Sequence, residues 1–280
     1  MIVDAHHHLW DPARRRYPFL EDPSLAPIRR AYATGELREV TGDLVTGTVL
    51  VQTVADRGET EEFLATAAAS DGLIRGVVGW VDLTAADVAE QIGKLRAGPG
   101  GERLVGIRHQ VQDEADPLWL TRADVRRGIR AVGAAGLSYD LLVLTPQLEA
   151  AREVVEALPE VGFVLDHLAK PPIAAGDWQP WASGVAALAA LPNVTAKLSG
   201  LVTEAAWDDW DAEGIGRYTR HALSVFGPDR LMFGSDWPVC TVAASYDEVV
   251  SLAVALTVEL SEGERAAVFG GTATRVYRLS

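Results

Sequence analysis

Two hydrophobic periods alternate along the chain. Short apolar runs of strand length begin near Ile2, Gly47, Ile74, Arg103, Leu137, Gly162, Val194 and Leu231. After each, apolar residues return every three or four positions, the spacing of a helix with one buried face. The run Gly47-Thr-Val-Leu-Val-Gln-Thr53 is almost continuously apolar, as a strand covered on both faces should be. The pattern predicts strands at Ile74–Val81, Arg103–His109, Leu137–Val143, Gly162–His167, Val194–Ser199 and Leu231–Ser235. Helices are expected at Gly35–Val45, Thr60–Ser70, Ala85–Ala97, Arg122–Ala135, Pro146–Leu158, Trp181–Leu191 and Trp207–Phe226. Two more follow, one from Tyr246 to Leu260 and one over Glu262–Leu279.

Eight strand-helix units in one chain are what a (β/α)8 TIM barrel requires, and no break in composition divides residues 1–280, so one barrel domain is expected. A doubly wound open sheet is the competing α/β arrangement. It usually carries a glycine-rich phosphate loop after the first strand, and none stands there. One stretch departs from both periods: Asp11–Thr34 holds Pro12, Pro18, Pro23, Pro27 and three consecutive arginines, Arg14 to Arg16. A long loop of this kind is more often functional than not, so a rim or lid over a site is expected.

Charge narrows the partners. Lys plus Arg is 25 and Asp plus Glu is 39, a net of 25 − 39 = −14, which disfavours nucleic acid and anionic membranes as partners. A single cysteine, Cys240, excludes an internal disulfide framework and fits a reducing compartment. No apolar run is long enough to span a bilayer, and the start lacks a basic region with an apolar stretch, so a cytoplasmic protein is expected. Oligomeric state is left open, a homo-oligomer included.

In a barrel the chemistry sits at the C-terminal ends of the strands. The first strand ends in His6-His7-His8, the fourth in Arg108-His109, the sixth in Asp166-His167 and the eighth in Ser235-Asp236. Alternation along a regular strand puts Asp4, His6 and His8 on one face and His7 on the other. Two imidazoles on one face can hold half of a zinc shell. Each of these residues has a plainer reading. His109 and His167 can be polar strand-end residues, and Asp236 before Trp237-Pro238 can cap a turn. His221 reads as an ordinary helix residue and Cys240 as structural.

Together, Asp4-Ala-His-His-His8, Gly106-Ile-Arg-His-Gln110, Leu165-Asp-His-Leu-Ala-Lys-Pro171, Lys197-Leu-Ser-Gly-Leu201 and Phe233-Gly-Ser-Asp-Trp-Pro238 resemble the amidohydrolase superfamily. They are most similar to its lactonase branch, which includes hydrolases of the L-fuconolactonase and L-rhamnonolactonase type. The resemblance implies a distorted barrel in which His6, His8, His167 and Asp236 surround the reacting carbonyl. It also implies one divalent metal, zinc being the usual ion, held by those four residues, although some members of the branch work without metal. Binuclear members carry a lysine at the end of the fourth strand; none stands there, and Lys197 on the seventh is a poor substitute.

Lactone hydrolysis needs an activated water, a polarised carbonyl and a proton for the leaving oxygen. Asp236 is the expected general base, and His167 with His109 the hydrogen-bond donors to the oxyanion if no metal binds. A sugar lactone is polar on every side, so Arg108, Gln110, Lys170, Lys197 and Glu204 are candidate binding residues, with Trp80, Trp237 and Arg14 to Arg16 as walls. Two rival functions share these residues: a metal-dependent, non-oxidative decarboxylase of an aromatic or unsaturated acid, and a non-catalytic sugar-acid binder.

Overall fold

Eight parallel strands follow one another around one sheet in chain order, each hydrogen-bonded to the next, in a computed structural model that describes residues 2–280. They are β1 (Ile2–His7), β2 (Val45–Val51), β3 (Ile74–Gly79), β4 (Leu104–His109), β5 (Ser138–Leu141), β6 (Phe163–Leu165), β7 (Val194–Leu198) and β8 (Leu231–Phe233). Sequence order and spatial order coincide, so the (β/α)8 barrel is observed and the doubly wound sheet is not. The helices that follow the strands are α1 (Thr34–Thr41), α2 (Arg57–Ala68), α3 (Val88–Ala97), α4 (Ala123–Ala134), α5 (Leu148–Ala157), α6 (Trp181–Ala189), α7 (Ala212–Phe226) and α8 (Tyr246–Leu256). In α4, Val125, Ile129 and Val132 form the buried stripe that the sequence period demands.

Closure between β8 and β1 has no regular ladder. Beyond β8, the amide of Asp236 donates to the His6 carbonyl at 2.8 Å and the amide of His8 donates to the Trp237 carbonyl at 2.7 Å. Below these bonds the Asp4 carboxylate replaces the missing ladder. Its Oδ1 accepts from the amides of Ser235 (2.9 Å) and His6 (3.1 Å), and its Oδ2 accepts from the hydroxyls of Ser235 (2.6 Å) and Tyr246 (3.1 Å). Gly234 permits this approach, since a Cβ there would stand 2.7 Å from the His6 Cβ.

One expectation fails at this seam. Asp4 reaches Tyr246 of α8, on the helix side, whereas Val3 and Ala5 pack with Val51, Val164, Met232 and Tyr277. The cause is a register irregularity between Asp4 and His7, which breaks strict alternation so that Asp4 does not share a face with His6 and His8. His7 does face away, buried with Nε2 2.9 Å from the Thr48 hydroxyl.

Other boundaries moved for local reasons. The helix expected from Trp207 begins at Ala212, where the Asp211 carboxylate caps the Gly214 amide at 2.7 Å. The indoles of Trp207 and Trp210 are used instead to donate to the Thr203 and Ala243 carbonyls. The last helical stretch is divided into α9 (Glu262–Ala266) and α10 (Thr272–Tyr277) by a π-helical turn at Ala267–Gly271. The proline-rich segment 11–34 contains two short 3-10 turns, Pro18–Glu21 and Pro23–Ile28. It is stapled to the barrel by Trp10, whose ring meets Phe19 and Tyr32 edge-on at 5.4 and 5.3 Å. Among the described residues, no helix is long and apolar enough to cross a membrane.

Candidate active site

At the C-terminal ends of the strands lies a cavity of about 770 Å³, lined by residues of nearly every quarter of the barrel. His8, Arg108, His167 and Asp236 form its floor. His109, Gln110, Gln112 and Glu114 stand on one side, and Trp10, Arg15, Arg16, Phe19 and Leu25 of the proline-rich segment on another. The segment is therefore part of the cavity rim.

Strand geometry fixes the orientation of the first pair of imidazoles. His8 donates from Nδ1 to the Val51 carbonyl at 2.7 Å, so its Nε2 carries a lone pair toward the site. That nitrogen is 3.2 Å from His6 Nε2 and 3.4 Å from Asp236 Oδ1. His6 Nε2 is itself 3.8 Å from Asp236 Oδ1.

His167 reaches the cluster by an unusual backbone. β6 stops at Leu165, and His167, Leu168, Ala169 and Lys170 all have positive φ, between 50° and 58°. Each such residue costs about 1–2 kcal/mol, so the turn persists only because its surroundings hold it. Trp181 donates from its indole to the Leu168 carbonyl at 2.7 Å, and Ser199 Oγ lies 2.9 Å from His167 Nδ1. Gly200 leaves the room: a Cβ there would stand 2.6 Å from His167 Nδ1. His167 Nε2 lies 4.0 Å from Asp236 Oδ1. Burial lowers the His167 imidazole to about 4. For Asp236 burial pushes upward, but the His167 and His8 rings and Lys170 outweigh it and hold the carboxyl below its ordinary value. At neutral pH the site therefore pairs a neutral ring with a carboxylate.

Beneath His6 runs a buried ionic network that the sequence did not reveal. Lys197 Nζ is 2.7 Å from Asp140 Oδ2, 2.9 Å from Asp166 Oδ1 and 3.2 Å from His6 Nδ1. Arg108 Nη1 bonds Asp166 Oδ2 at 2.9 Å and lies 3.3 Å from His6 Nε2, while its other nitrogens hold Gln52. Burial pushes Asp166 up, yet Lys197, His6 and Arg108 win and hold it well below the ordinary carboxylate range.

Several expected binding residues are placed otherwise. Lys197 is fully buried, with its ammonium spent on Asp140 and Asp166, and does not reach the cavity wall. Trp237 is buried with its ring edge-on to Tyr32, outside the lining. Trp80 stands behind the wall, donating from its indole to His109 Nδ1 at 3.0 Å. Because indole only donates, His109 must carry its proton on Nε2, which is 2.7 Å from Glu114 Oε1. Stacked on Trp119 at 4.2 Å, His109 has no nitrogen left for an oxyanion. Gln110 lines the cavity, but its amide nitrogen donates to the Thr53 carbonyl and its amide oxygen accepts from Gln52 Nε2. Lys170 lines it too, 3.9 Å from Glu204, which stands outside the lining. Arg14 points out and pairs with Glu62. Glu114, Gln112 and Gln52 are the site residues that sequence reasoning missed; Gln52, a polar residue ending an apolar strand, was a visible signal.

A family model described as Amidohydrolase matches residues 3–279. The chain belongs to the amidohydrolase family. Among curated relatives, an L-fucono-1,5-lactonase of Burkholderia multivorans is 40% identical, across 99% of this chain and 96% of its own. Another L-fucono-1,5-lactonase, from Burkholderia ambifaria, is 34% identical across 99% and 95%. A solved Burkholderia multivorans amidohydrolase described with bound zinc superposes with a TM-score of 0.92 at 38% identity, covering both chains fully. A 5-carboxyvanillate decarboxylase of Sphingomonas paucimobilis shares only 14% identity at a TM-score of 0.68, which speaks to the fold alone.

In this amidohydrolase one ligand atom each of His6, His167 and Asp236 lie within 4.8 Å of one another, and His8 Nε2 adjoins His6. Imidazole and carboxylate donors closing on one point fit a divalent metal of the zinc type.

Proposed function

We propose that this amidohydrolase is a carboxylic-ester hydrolase that opens a sugar (aldono) lactone to its hydroxy acid, with the 1,5-lactone of a 6-deoxy sugar acid as the preferred class. The observation that carries the reading is the Asp236 carboxylate. It is buried and charged, ringed by three imidazoles at 3.4–4.0 Å, and open to a cavity with ample room for a sugar lactone.

A water beside Asp236 gives its proton to Oδ1 as its oxygen attacks the lactone carbonyl carbon. Lys170, on the cavity wall, faces the negative charge that develops on the carbonyl oxygen, and the Arg108 guanidinium, its N–H groups held by Asp166 and Gln52, adds positive charge from the floor. The bond from that carbon to the ring oxygen then breaks, and protonated Asp236 returns its proton to the departing oxygen, so one water is consumed and one hydroxy acid leaves. A divalent ion such as zinc, held by His6, His8, His167 and Asp236, would polarise the carbonyl and acidify the water. Glu114, Gln112, Arg15 and Arg16 offer hydrogen bonds to ring hydroxyls, and Trp10, Phe19 and Leu25 give the deoxy sugar's methyl an apolar wall.

Arginine held ready for a substrate carboxylate is what the decarboxylase reading needs, and Arg108 is already bonded to Asp166 and Gln52. The test is a pH-indicator screen of aldonolactones, before and after chelation, with Asp236→Asn alongside. Acid release should be fastest from 6-deoxy-1,5-lactones and should fall about 10²–10⁴-fold in the variant. Wild-type turnover by Asp236→Asn would exclude Asp236 as the base. Sugar-acid binding without turnover across the panel would return the non-catalytic reading.

A further inference from the structure

His6 is approached by a donor at each nitrogen, and it has only one lone pair to offer. At Nδ1 stand the Lys197 ammonium at 3.2 Å, a donor only, and Asp166 Oδ1 at 3.4 Å, an acceptor. At Nε2 stand Arg108 Nη1 at 3.3 Å, a donor, and the lone pair of His8 Nε2 at 3.2 Å. Two neutral tautomers divide these partners. With its proton on Nε2, His6 accepts from Lys197 and donates to His8, extending a chain of hydrogen bonds from Lys197 to the Val51 carbonyl. With its proton on Nδ1, His6 turns that N–H toward the Asp166 carboxylate 3.4 Å away and accepts from Arg108, but its Nε2 lone pair then opposes that of His8 at 3.2 Å. Arg108, donating to His6 Nε2 from one side, eases that opposition only in part, and a cation between the two lone pairs removes it. The first tautomer closes the pair with a proton; the second opens it to a metal.

We propose that Lys197 is a positioning residue that, through Nδ1 of His6, favours the proton-closed pair and so weakens the hold of the site on a divalent cation, while Asp166 favours the metal-ready tautomer. The tautomers carry the same charge, so the choice between them is a matter of hydrogen-bond partners and not of titration. Lys197 is fully buried and outside the cavity lining, and besides His6 its ammonium meets Asp140 and Asp166. The proposal holds whichever lactone is the substrate.

The decisive measurement on wild-type protein is the long-range 15N–1H spectrum of the histidine rings, metal-free and then with zinc, with His6 assigned from a His6→Gln sample. His6 should hold its proton on Nε2 without metal and on Nδ1 with zinc. A charge-balanced double variant, Lys197→Met with Asp140→Asn, removes the ammonium together with one of its two carboxylate partners. Against a chromogenic chelator it should bind zinc about tenfold or more tightly than wild type, the size usual for partners behind a metal ligand. A metal-free wild type already protonated on Nδ1 would overturn the proposal. So would a folded double variant whose zinc affinity matches wild type. If the double variant does not fold, the wild-type spectrum decides alone.

Discussion

Asp4 and Asp236 stand on opposite sides of the same seam, and both are buried, yet they are treated oppositely. Asp4 is saturated: four hydrogen bonds from three residues consume both oxygens. Asp236 is anchored by its backbone, through its amide to His6 and its carbonyl to Cys240, and its carboxylate is left facing rings at 3.4–4.0 Å. Burial alone therefore does not mark a candidate catalytic carboxylate. What marks it is capacity left unspent after folding.

The largest effect expected from this contrast is on turnover. Asp236→Asn should lose about 10²–10⁴-fold in kcat while urea denaturation shifts by less than about 1 kcal/mol. Asp4→Ala should do the reverse. It strands two amides and two hydroxyls inside the seam, a loss of about 3 kcal/mol or more, while the folded fraction keeps kcat within about threefold. A fully folded Asp4→Ala that was as inactive as Asp236→Asn would erase the distinction.

pH sharpens it further. Burial raises the Asp4 carboxyl from 3.8 to about 6, so the folded protein keeps a proton there that the unfolded chain has lost. The stability this contributes is present below 3.8 and disappears as pH rises through about 6, a change of about 3 kcal/mol at 1.36 kcal/mol per unit. His7 and His167, lowered to about 3 and about 4 by burial, slope the other way, since the unfolded chain takes up their protons as pH falls from 6.5. Comparison with Asp4→Asn isolates the Asp4 share: between pH 4 and pH 7 the wild type should lose about 2 kcal/mol relative to the variant. A constant difference between them would show that Asp4 keeps its ordinary value. Asp236, held below 3.8, should leave the acid limb of kcat/KM below the ordinary aspartate range.

The seam also shows where sequence reasoning stops. Strand ends were legible because hydrophobic period and strand-end histidines are local properties, and His6, His8, His167 and Asp236 do converge. The facing of Asp4 was not, because the irregularity between Asp4 and His7 arises from closing β1 against β8. Nor was the left-handed run His167–Lys170, which nothing in Leu165-Asp-His-Leu-Ala-Lys-Pro171 announces and which Trp181 and Gly200 make possible from elsewhere in the chain. Lys197 read as a binding residue because a lone lysine on a strand has no visible partners. Asp140 and Asp166, on the fifth strand and just beyond the sixth, supply them only in three dimensions.

His109 extends the same principle from carboxylates to imidazoles, at the smallest expected effect. Its Nδ1 is taken by the Trp80 indole and its Nε2 by Glu114, with Trp119 stacked on its face. A ring with no nitrogen to spare can shape the wall of a cavity but cannot move a proton for the substrate. Trp80→Phe keeps most of the apolar bulk and removes one hydrogen bond, worth about 0.5–1.5 kcal/mol. Glu114 and Trp119 still hold the ring, so KM should rise about 2–10-fold, the equivalent of that energy, with kcat unchanged. Steady-state kinetics on one lactone separates the two parameters. If kcat instead fell a hundredfold at constant KM, the freed Nδ1 would have disturbed the reacting centre, and His109 would have to join Asp236 among the residues proposed to act on the carbonyl.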